Sequence, residues 1–278
     1  MRRLWLPILL LVGCTGDLDP PYRLERVRVL AVQTTVEGTD RRATPMPGES
    51  ATVRWLVADP SGTETPLTWR MRVCVEQGCA TGSIVEEEGA GVPTLTFVVP
   101  AGVEGSLHVE GIGCTEGALP ASPFERCVGA TVLPEVVEAS IPIAQSPDEW
   151  NDNPDAMGFD VTIDGALWPE GDPDCALADA QPMVVADEEP IAVAFAVDDS
   201  EREAEVPFLL SHVVTEGELD AHFAVLDAGE PNAPLALPWT PSVDTEGSRS
   251  ATHLFVARDG RGGVAWTRRV VCVRENPS

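Results

Sequence analysis

Apolar and polar residues alternate with a period of two along much of the chain, as they do in β-strands that bury one face. The run 67–75 is the clearest case, because Trp69, Met71, Val73 and Val75 fall on one side and two arginines on the other. Similar runs, separated by turn-forming residues, lie at 27–36, 51–58, 95–99, 107–112, 128–133, 159–163, 191–197, 208–214, 221–226, 252–258 and 264–273. The pattern predicts an all-β protein.

A helical period is absent from the sequence over any useful length. No stretch of a dozen residues free of Pro and Gly carries one, and 135–139 is compatible with no more than a turn of helix. The Gly-rich stretch 259–263 separates the last two apolar runs, which predicts a terminal β-hairpin. Short strands, frequent turns and no helices are typical of β-sandwiches. The chain has 278 residues, enough for two of them. A polar, acidic stretch at 145–156 divides it, so we predict one sandwich at 24–144 and a second at 157–278.

The first fourteen residues have the features of an export signal. Arg2 and Arg3 precede an apolar run, 4–12, which ends at Gly13 and Cys14. The run is far shorter than the ~20 residues that span a bilayer, so it predicts a cleaved signal and no transmembrane helix.

The ending Leu-Val-Gly-Cys resembles the lipobox of bacterial lipoproteins. The resemblance implies a signal peptide at 1–13, acylation of Cys14 by fatty acids such as palmitate, and a tether at 14–23. Thr15, not Asp, follows the cysteine, which in that family favours sorting to the outer membrane. The chain would then be lipid-anchored in the cell envelope, facing the periplasm or the cell surface. An ordinary secretory signal is the alternative.

Six further cysteines divide between the two predicted domains, four in the first and two in the second: Cys74, Cys79, Cys114, Cys127, Cys175 and Cys272. Even numbers in an exported chain predict disulfides, and zinc is disfavoured because no Cys-x-x-Cys pair occurs. In the second domain Cys175–Cys272 is the one pairing available. In the first domain three connectivities are open, and the turns at 77–78 and 117–123 favour Cys74–Cys79 with Cys114–Cys127.

Several motifs resemble those of immunoglobulin-like domains. The stretch 47–69, with Pro47-Gly48, the turn 57–62 and Trp69, is similar to their B and C strands. The stretch 255–264 with Trp266 is similar to the terminal hairpin of PKD-type domains. A lipobox followed by tandem modules of this kind resembles bacterial surface lipoproteins. The resemblance implies tandem immunoglobulin-like β-sandwiches, and it specifies the fold and not a function.

The charged residues exclude several functions. The chain has 18 basic and 45 acidic residues, a formal charge of −27, and every basic residue is arginine. Such an acidic excess repels phosphate backbones, which argues against nucleic-acid binding. The absence of lysine excludes a Walker A loop, a Schiff base and a Ser-x-x-Lys site.

Catalytic motifs are also absent, and we therefore predict a non-enzymatic protein. The four histidines form no His-Glu-x-x-His motif, and no Gly-x-Ser-x-Gly occurs. The alternative is an envelope hydrolase that uses His212 or His222 with carboxylates at the domain junction.

The predicted linker carries the candidate metal ligands. Asp148, Asn151, Asp152, Asn153 and Asp155 supply the oxygens that Ca²⁺ prefers. Their Asn-Asp-Asn core resembles the calcium-binding linker of cadherin repeats, which implies a calcium-rigidified spacer. A solvated polar linker is the alternative. No other cofactor is expected.

We conclude from the sequence that the protein is a membrane-anchored binding or structural module. The partner would be an envelope protein or a glycan. Three tryptophans beside Pro or Asn, Trp150, Trp168 and Trp239, could form a stacking platform for a glycan, although packing over the ends of the sandwiches is the alternative.

Overall fold

The computed structural model describes residues 20–177, 179–187, 189–197, 206–227, 234–243 and 247–275. These residues form eighteen β-strands and three short 3-10 turns, so the all-β prediction is confirmed. The predicted signal peptide and Cys14 lie outside the described residues. Within the described ranges, no helix has the length and apolar character needed to cross a membrane.

Seven strands build the first sandwich. They are β1 (Arg28–Val36), β2 (Ser50–Ala58), β3 (Leu67–Cys74), β4 (Ser83–Gly91), β5 (Thr94–Val98), β6 (Ser106–Cys114) and β7 (Glu135–Pro142). One sheet has the order β1-β2-β5 and the other β4-β3-β6-β7, and all pairs are antiparallel. Read as strands A to G, with β4 as C′, this is the A-B-E and C′-C-F-G division of immunoglobulin-like sandwiches.

Alternation along the strands decides what this sandwich buries. Trp55 of β2 and Trp69 of β3 lie in one core cluster with Met71, Leu95 and Leu107. The polar residues between these positions face outward on β3, as the period of two requires.

Two sequence predictions fail in this half. Residues 135–139, considered as a turn of helix, belong to strand β7, because Val137 and Ile141 alternate into the core and pair along β6. Residues 128–133, predicted as a strand, form a loop in which Val128 makes one isolated bridge to Ala118. The charged strand β4 was not predicted at all.

Eleven strands build the second half. They are β8 (Asp160–Ile163), β9 (Ala166–Leu167), β10 (Met183–Val185), β11 (Val193–Ala196), β12 (Phe208–Val214), β13 (Glu218–Leu219), β14 (Phe223–Leu226), β15 (Leu235–Ala236), β16 (Trp239–Thr240), β17 (Arg249–Arg258) and β18 (Val264–Arg274). The larger sheet has the order β10-β18-β17-β12-β14 and faces a sheet of order β15-β11-β8-β9. Strand β10 runs parallel to β18, and β17 with β18 forms the predicted hairpin.

The second core is rich in aromatic residues. Trp168, Phe195, Trp239 and Phe255 are almost fully buried in one cluster, with ring centroids of Phe195 and Phe255 5.7 Å apart. Trp168 and Trp239 therefore pack inside the sandwich. This corrects the idea that they form an exposed platform.

Three disulfides stabilise the two sandwiches. Cys74–Cys79 and Cys114–Cys127 lie in the first, and Cys175–Cys272 ties the segment before β10 to β18. These are the pairings that the sequence favoured.

The sandwiches pack side by side through the outer faces of β1–β2 and β17–β18. Leu56 lies between the core residues Trp55 and Val57, so it faces the other way, where it belongs to one buried cluster with Val256 of the second sandwich. Ala31 and Val264 complete this contact cluster. Residues 55–58 of β2 and 254–257 of β17 are therefore apolar on both faces of their strands.

Candidate functional site

The predicted linker is a structural part of the domain junction. Residues 151–153 run antiparallel to 41–44 of the first sandwich. The Ala43 N–H donates to the Asn151 carbonyl at 2.7 Å, and the Asn153 N–H donates to the Arg41 carbonyl at 2.7 Å. Arg42 and Asp152 form the bridge between them. The linker thus forms a short ribbon on the first sandwich instead of crossing solvent.

Asn153 joins the two sandwiches with its side chain. Its amide nitrogen donates to the carbonyls of Thr34 at 2.7 Å and Arg41 at 2.9 Å, both in the first sandwich. Its amide oxygen accepts the Val264 N–H of the second sandwich at 2.8 Å. The residue is buried, and an amide suits this place because it offers donors and an acceptor without a charge.

Asn151 makes a second link across the junction. Its amide nitrogen donates to the Asp259 carboxylate at 2.7 Å. The other oxygen of Asp259 accepts the N–H groups of Arg261 and Gly263, which fixes the turn of the β17–β18 hairpin. A Cβ on Gly263 would lie 2.5 Å from the Asp152 carbonyl, so the hairpin needs glycine to approach the linker this closely.

The five predicted calcium ligands do not converge in the described structure. Asn151 and Asn153 are buried and bonded as above, whereas Asp148 and Asp152 are exposed. Asp155 accepts the Met157 N–H at 3.0 Å. Nowhere in the described part of the chain do three or more His, Cys, Asp or Glu residues group as a metal site. Calcium binding at this linker stays a prediction.

His212, one of the two candidate catalytic histidines, is buried beside another histidine in the core of the second sandwich. His212 is fully buried, and its Nε2 lies 2.9 Å from Nδ1 of His253, also fully buried. Burial lowers the pKa of His212 to about 3. Burial, with His212 as neighbour, lowers the pKa of His253 well below its usual value. His222 is exposed and contacts the ring of Tyr22.

The described residues line two clefts at the junction, and neither of these linings brings a histidine together with a carboxylate. Ser211 and His222 line a cleft of ≈ 270 Å³ in which no described lining residue is a carboxylate. The Ser211 hydroxyl accepts from the Arg258 guanidinium at 3.1 Å, a cation that cannot act as a base. A neighbouring cleft of ≈ 330 Å³ has Glu138 and Arg258 as its charged lining.

A surface that sequence reasoning missed lies in the loop between β6 and β7, residues 115–134. The loop is longer than the ~12–15 residues at which unstructured connections become uncommon in compact domains. Cys127 is bonded to Cys114 at the end of β6, and the backbones of Ala118 and Val128 exchange hydrogen bonds of 3.0 and 2.8 Å. Gly117 has φ 77°, and a Cβ there would lie 2.3 Å from the Val128 carbonyl. The loop is therefore held by covalent and hydrogen bonds.

Apolar side chains of this loop, and Val136 at the start of β7, face solvent. Phe124 is 91% exposed, and Val128, Leu133 and Val136 are each more than half exposed. Ser122 accepts the Phe124 N–H at 3.3 Å in the turn that presents the ring. We call Phe124, Val128, Val132, Leu133 and Val136 the loop face.

A groove of ≈ 980 Å³ lies beside the loop face. Val132, Leu133 and Val136 line it together with Arg26 and Arg126. Arg26 is paired with the Glu135 carboxylate. The signal for this site in the sequence was the apolar content of 128–133, which we assigned to a strand.

Trp150 is the one of the three proposed platform tryptophans that reaches solvent. It is 44% exposed, and the Arg42 guanidinium lies 4.3 Å from its ring centroid. The guanidinium covers one face of the ring, so Trp150 packs against the ribbon at 41–44.

Comparison with known proteins adds little to these observations. No protein-family model and no curated protein matches the chain. Among solved structures, the alignment with the D0-D1 domain of Intimin covers 88% of this chain and 98% of the Intimin chain, at 13% identity and a TM-score of 0.24. The D00-D0 domain of Intimin covers 87% and 99%, at 12% identity and a TM-score of 0.24. The Yersinia pseudotuberculosis adhesin InvE covers 86% and 58%, at 13% identity and a TM-score of 0.22. The assignment of the fold rests on the sheets described above.

Proposed function

We propose that the protein is a lipid-anchored lipoprotein of the outer membrane that acts as a non-enzymatic binding module. Cys14 would carry the acyl chains, and the two docked sandwiches would hold the loop face toward a partner in the envelope. At least two acyl chains would be needed for stable anchoring, since one chain binds membranes only marginally.

The observation that carries the binding proposal is the exposure of Phe124 in a loop that is held rigid. Large exposed apolar patches are rare on soluble domains, and where they occur they often mark an interaction site. A loop fixed by Cys114–Cys127 and by the Ala118–Val128 hydrogen bonds loses little conformational entropy on binding. Aromatic anchors of this kind supply much of the energy of protein interfaces.

The composition of the loop face favours a protein partner over a glycan. The loop face itself consists of phenylalanine, valine and leucine side chains, which do not form the hydrogen bonds that sugar hydroxyls require, whereas the charged groups of the groove, Arg26, Arg126 and Glu135, lie beside it. An apolar segment of another protein would instead cover Leu133 and Val136 and accept Phe124.

The anchoring proposal is tested by acylation of the chain in cells. We expect labelled palmitate to enter the wild-type protein and to be absent from the Cys14→Ser variant, which should leave the membrane fraction. Label in the Cys14→Ser variant, or a wild-type chain without label, would contradict the lipoprotein assignment.

The binding proposal is tested with a photo-crosslinking residue at position 124. Met157, 92% exposed in the 3-10 turn Ala156–Gly158, is the matched control position because it is equally exposed outside the loop face. We expect a protein adduct from position 124 and none from 157. For the protein so identified, Phe124→Ala should raise the Kd at least about tenfold, the size of a modest hot spot. Equal adducts at both positions, or an unchanged Kd, would contradict a role for the loop face.

A further inference from the structure

The inference concerns the buried histidine pair, His212 and His253, in the core of the second sandwich. Both imidazoles are fully buried, and one ring nitrogen of each lies 2.9 Å from the other. The remaining nitrogens, Nδ1 of His212 and Nε2 of His253, have no hydrogen-bond partner among the described residues. The pair can share one N–H···N bond while both rings are neutral. A second proton on either ring would place an unpaired charge in the core.

Among the described residues, the side chains whose rings contact the pair are aromatic and uncharged. Phe255 stacks on His212 with centroids 4.4 Å apart, and Trp168 and Trp239 meet the ring of His253 edge-on at 4.8 and 4.5 Å. The charged side chain across the sheet is Arg269, the register partner of His253 on β18. Its guanidinium donates to the Trp168 carbonyl at 3.0 Å and to the Glu170 carboxylate at 3.1 Å. The Arg269 guanidinium is thus paired with Glu170, and burial of the two rings disfavours an imidazolium.

The strands that carry the pair also carry the docking surface. His212 and His253 face inward on β12 and β17. Their neighbours Val213 and Leu254 face outward, where they pack against Leu24 and Ala58.

Hydrogen bonds connect the same strands to the first half of the chain. Val214 forms two backbone hydrogen bonds with the segment that precedes β1. The Leu24 N–H donates to the Val214 carbonyl at 2.8 Å, and the Val214 N–H donates to the Tyr22 carbonyl at 2.8 Å. The Thr252 hydroxyl donates to the Ser61 carbonyl at 3.2 Å. Separating β12 from β17 would therefore remove contacts that hold the sandwiches together.

We propose that the His212–His253 pair is an acid-sensitive latch, whose protonation opens the second sandwich at β12–β17 and releases its docking to the first. The sign follows from proton linkage. A histidine in the unfolded chain titrates near 6.5, and the buried rings titrate far lower, so the unfolded state binds more protons below pH 6.5. Stability is therefore complete above pH 6.5 and falls as the pH drops below it. This inference does not depend on lipid anchoring or on the loop face.

The test measures the unfolding equilibrium of the full chain between pH 7.5 and 5.5. Most carboxylates stay ionised in this window, so their titration contributes little. We expect the folding constant of the wild type to fall about tenfold per histidine, about a hundredfold for the pair. The variant His212→Phe/His253→Leu should lose this fall. His222→Gln, which removes an exposed ring, should keep it. A pH dependence unchanged in the double variant would overturn the proposal.

Two readouts apply even where the double variant does not fold. Hydrogen exchange at the Leu24 and Val214 amides, corrected for intrinsic rate, should lose protection in the wild type as the pH falls. NMR titration of the two imidazoles in the folded wild type should show no protonation at pH 5.5. Amides that stay fully protected, or a ring that titrates near pH 6.5 while the protein is folded, would overturn the latch.

Discussion

Two connecting segments of this protein contrast with each other, and each lies in an environment opposite to the one that its composition suggested. The linker 145–156 is rich in Asp, Asn and Pro, whereas the loop 115–134 carries Phe, Leu and Val among its Pro and Gly residues. The linker, which seemed solvated or metal-binding, buries Asn151 and Asn153 between two sandwiches. The loop, which seemed to contain a core strand, exposes Phe124 and Leu133. Composition therefore predicted the burial of neither segment.

The difference has a physical cause in what each side chain can satisfy. An asparagine amide carries two donors and an acceptor without charge, so Asn153 can be buried once Thr34, Arg41 and Val264 complete its hydrogen bonds. Exposure of an apolar side chain to water costs free energy but leaves no hydrogen-bonding group unpaired, so a disulfide-bonded loop can hold Phe124 in water. The polar groups of the linker are therefore satisfied by hydrogen bonds within the fold, whereas the apolar groups of the loop remain available to contact another molecule.

The largest expected effect is that of Asn153→Ala. It would leave the Thr34 carbonyl and the Val264 N–H without their partner in a buried setting, at about 1–3 kcal/mol each. We expect a loss of about 2–5 kcal/mol in the free energy of unfolding, measured with urea. Asp152→Ala, at an exposed position of the same linker, is the control and should change stability by less than about 0.5 kcal/mol. Equal effects of the two variants would mean that the Asn153 side chain stabilises the junction no more than an exposed side chain does, as expected of a solvated linker.

The next effect concerns the covalent bond that closes the β6–β7 loop. Cys114→Ala/Cys127→Ala opens a loop of sequence separation 13, for which chain entropy predicts a loss of about 3 kcal/mol. The loop should also lose protection from proteolysis near Phe124, whereas the linker should not. A loop that stays resistant to protease in this variant would show that the Ala118–Val128 hydrogen bonds suffice to hold it.

A smaller effect is expected for Phe124→Ala. Because the ring is 91% exposed, its removal should change the free energy of unfolding by less than about 0.5 kcal/mol. The contrast with Asn153→Ala is the sharpest form of the comparison, since one residue would act on folding and the other on binding. A loss above about 2 kcal/mol would mean that Phe124 packs inside the fold.

Calcium should have the smallest effect. The Asn153 amide oxygen already accepts the Val264 N–H, and Asp148 and Asp152 face solvent. We expect millimolar calcium to shift Tm by less than about 1 °C relative to chelator. A rise of several degrees that Asp152→Ala removes would establish the calcium site that the linker composition suggested.

Most strands could be predicted from the sequence, and the failures have identifiable reasons. Strand β4 was missed because Glu86, Glu87 and Glu88 break the apolar pattern. In the fold, Glu86 and Glu88 lie opposite Arg72 and Arg70, and Arg70 donates to Glu88 at 2.6 Å. Cross-strand charge pairing therefore replaces apolar alternation at this sheet edge.

The docking of the two sandwiches had a signal that we did not use. Residues 55–58 and 254–257 are apolar without alternation, which is expected of strands buried on both faces. Their partners across the junction could not be predicted, because no local pattern relates Leu56 to Val256.

The sequence by itself determined the all-β class, most strand positions and the favoured disulfide pairing, because these depend on local alternation, on turns and on the parity of cysteines. Only the tertiary structure decided which faces meet. It buried Asn153 instead of hydrating it, paired His212 with His253, and left Phe124 in solvent. Each of these outcomes depends on groups that are far apart in the chain. Only the completed fold brings such groups close enough to form a hydrogen bond or an apolar contact.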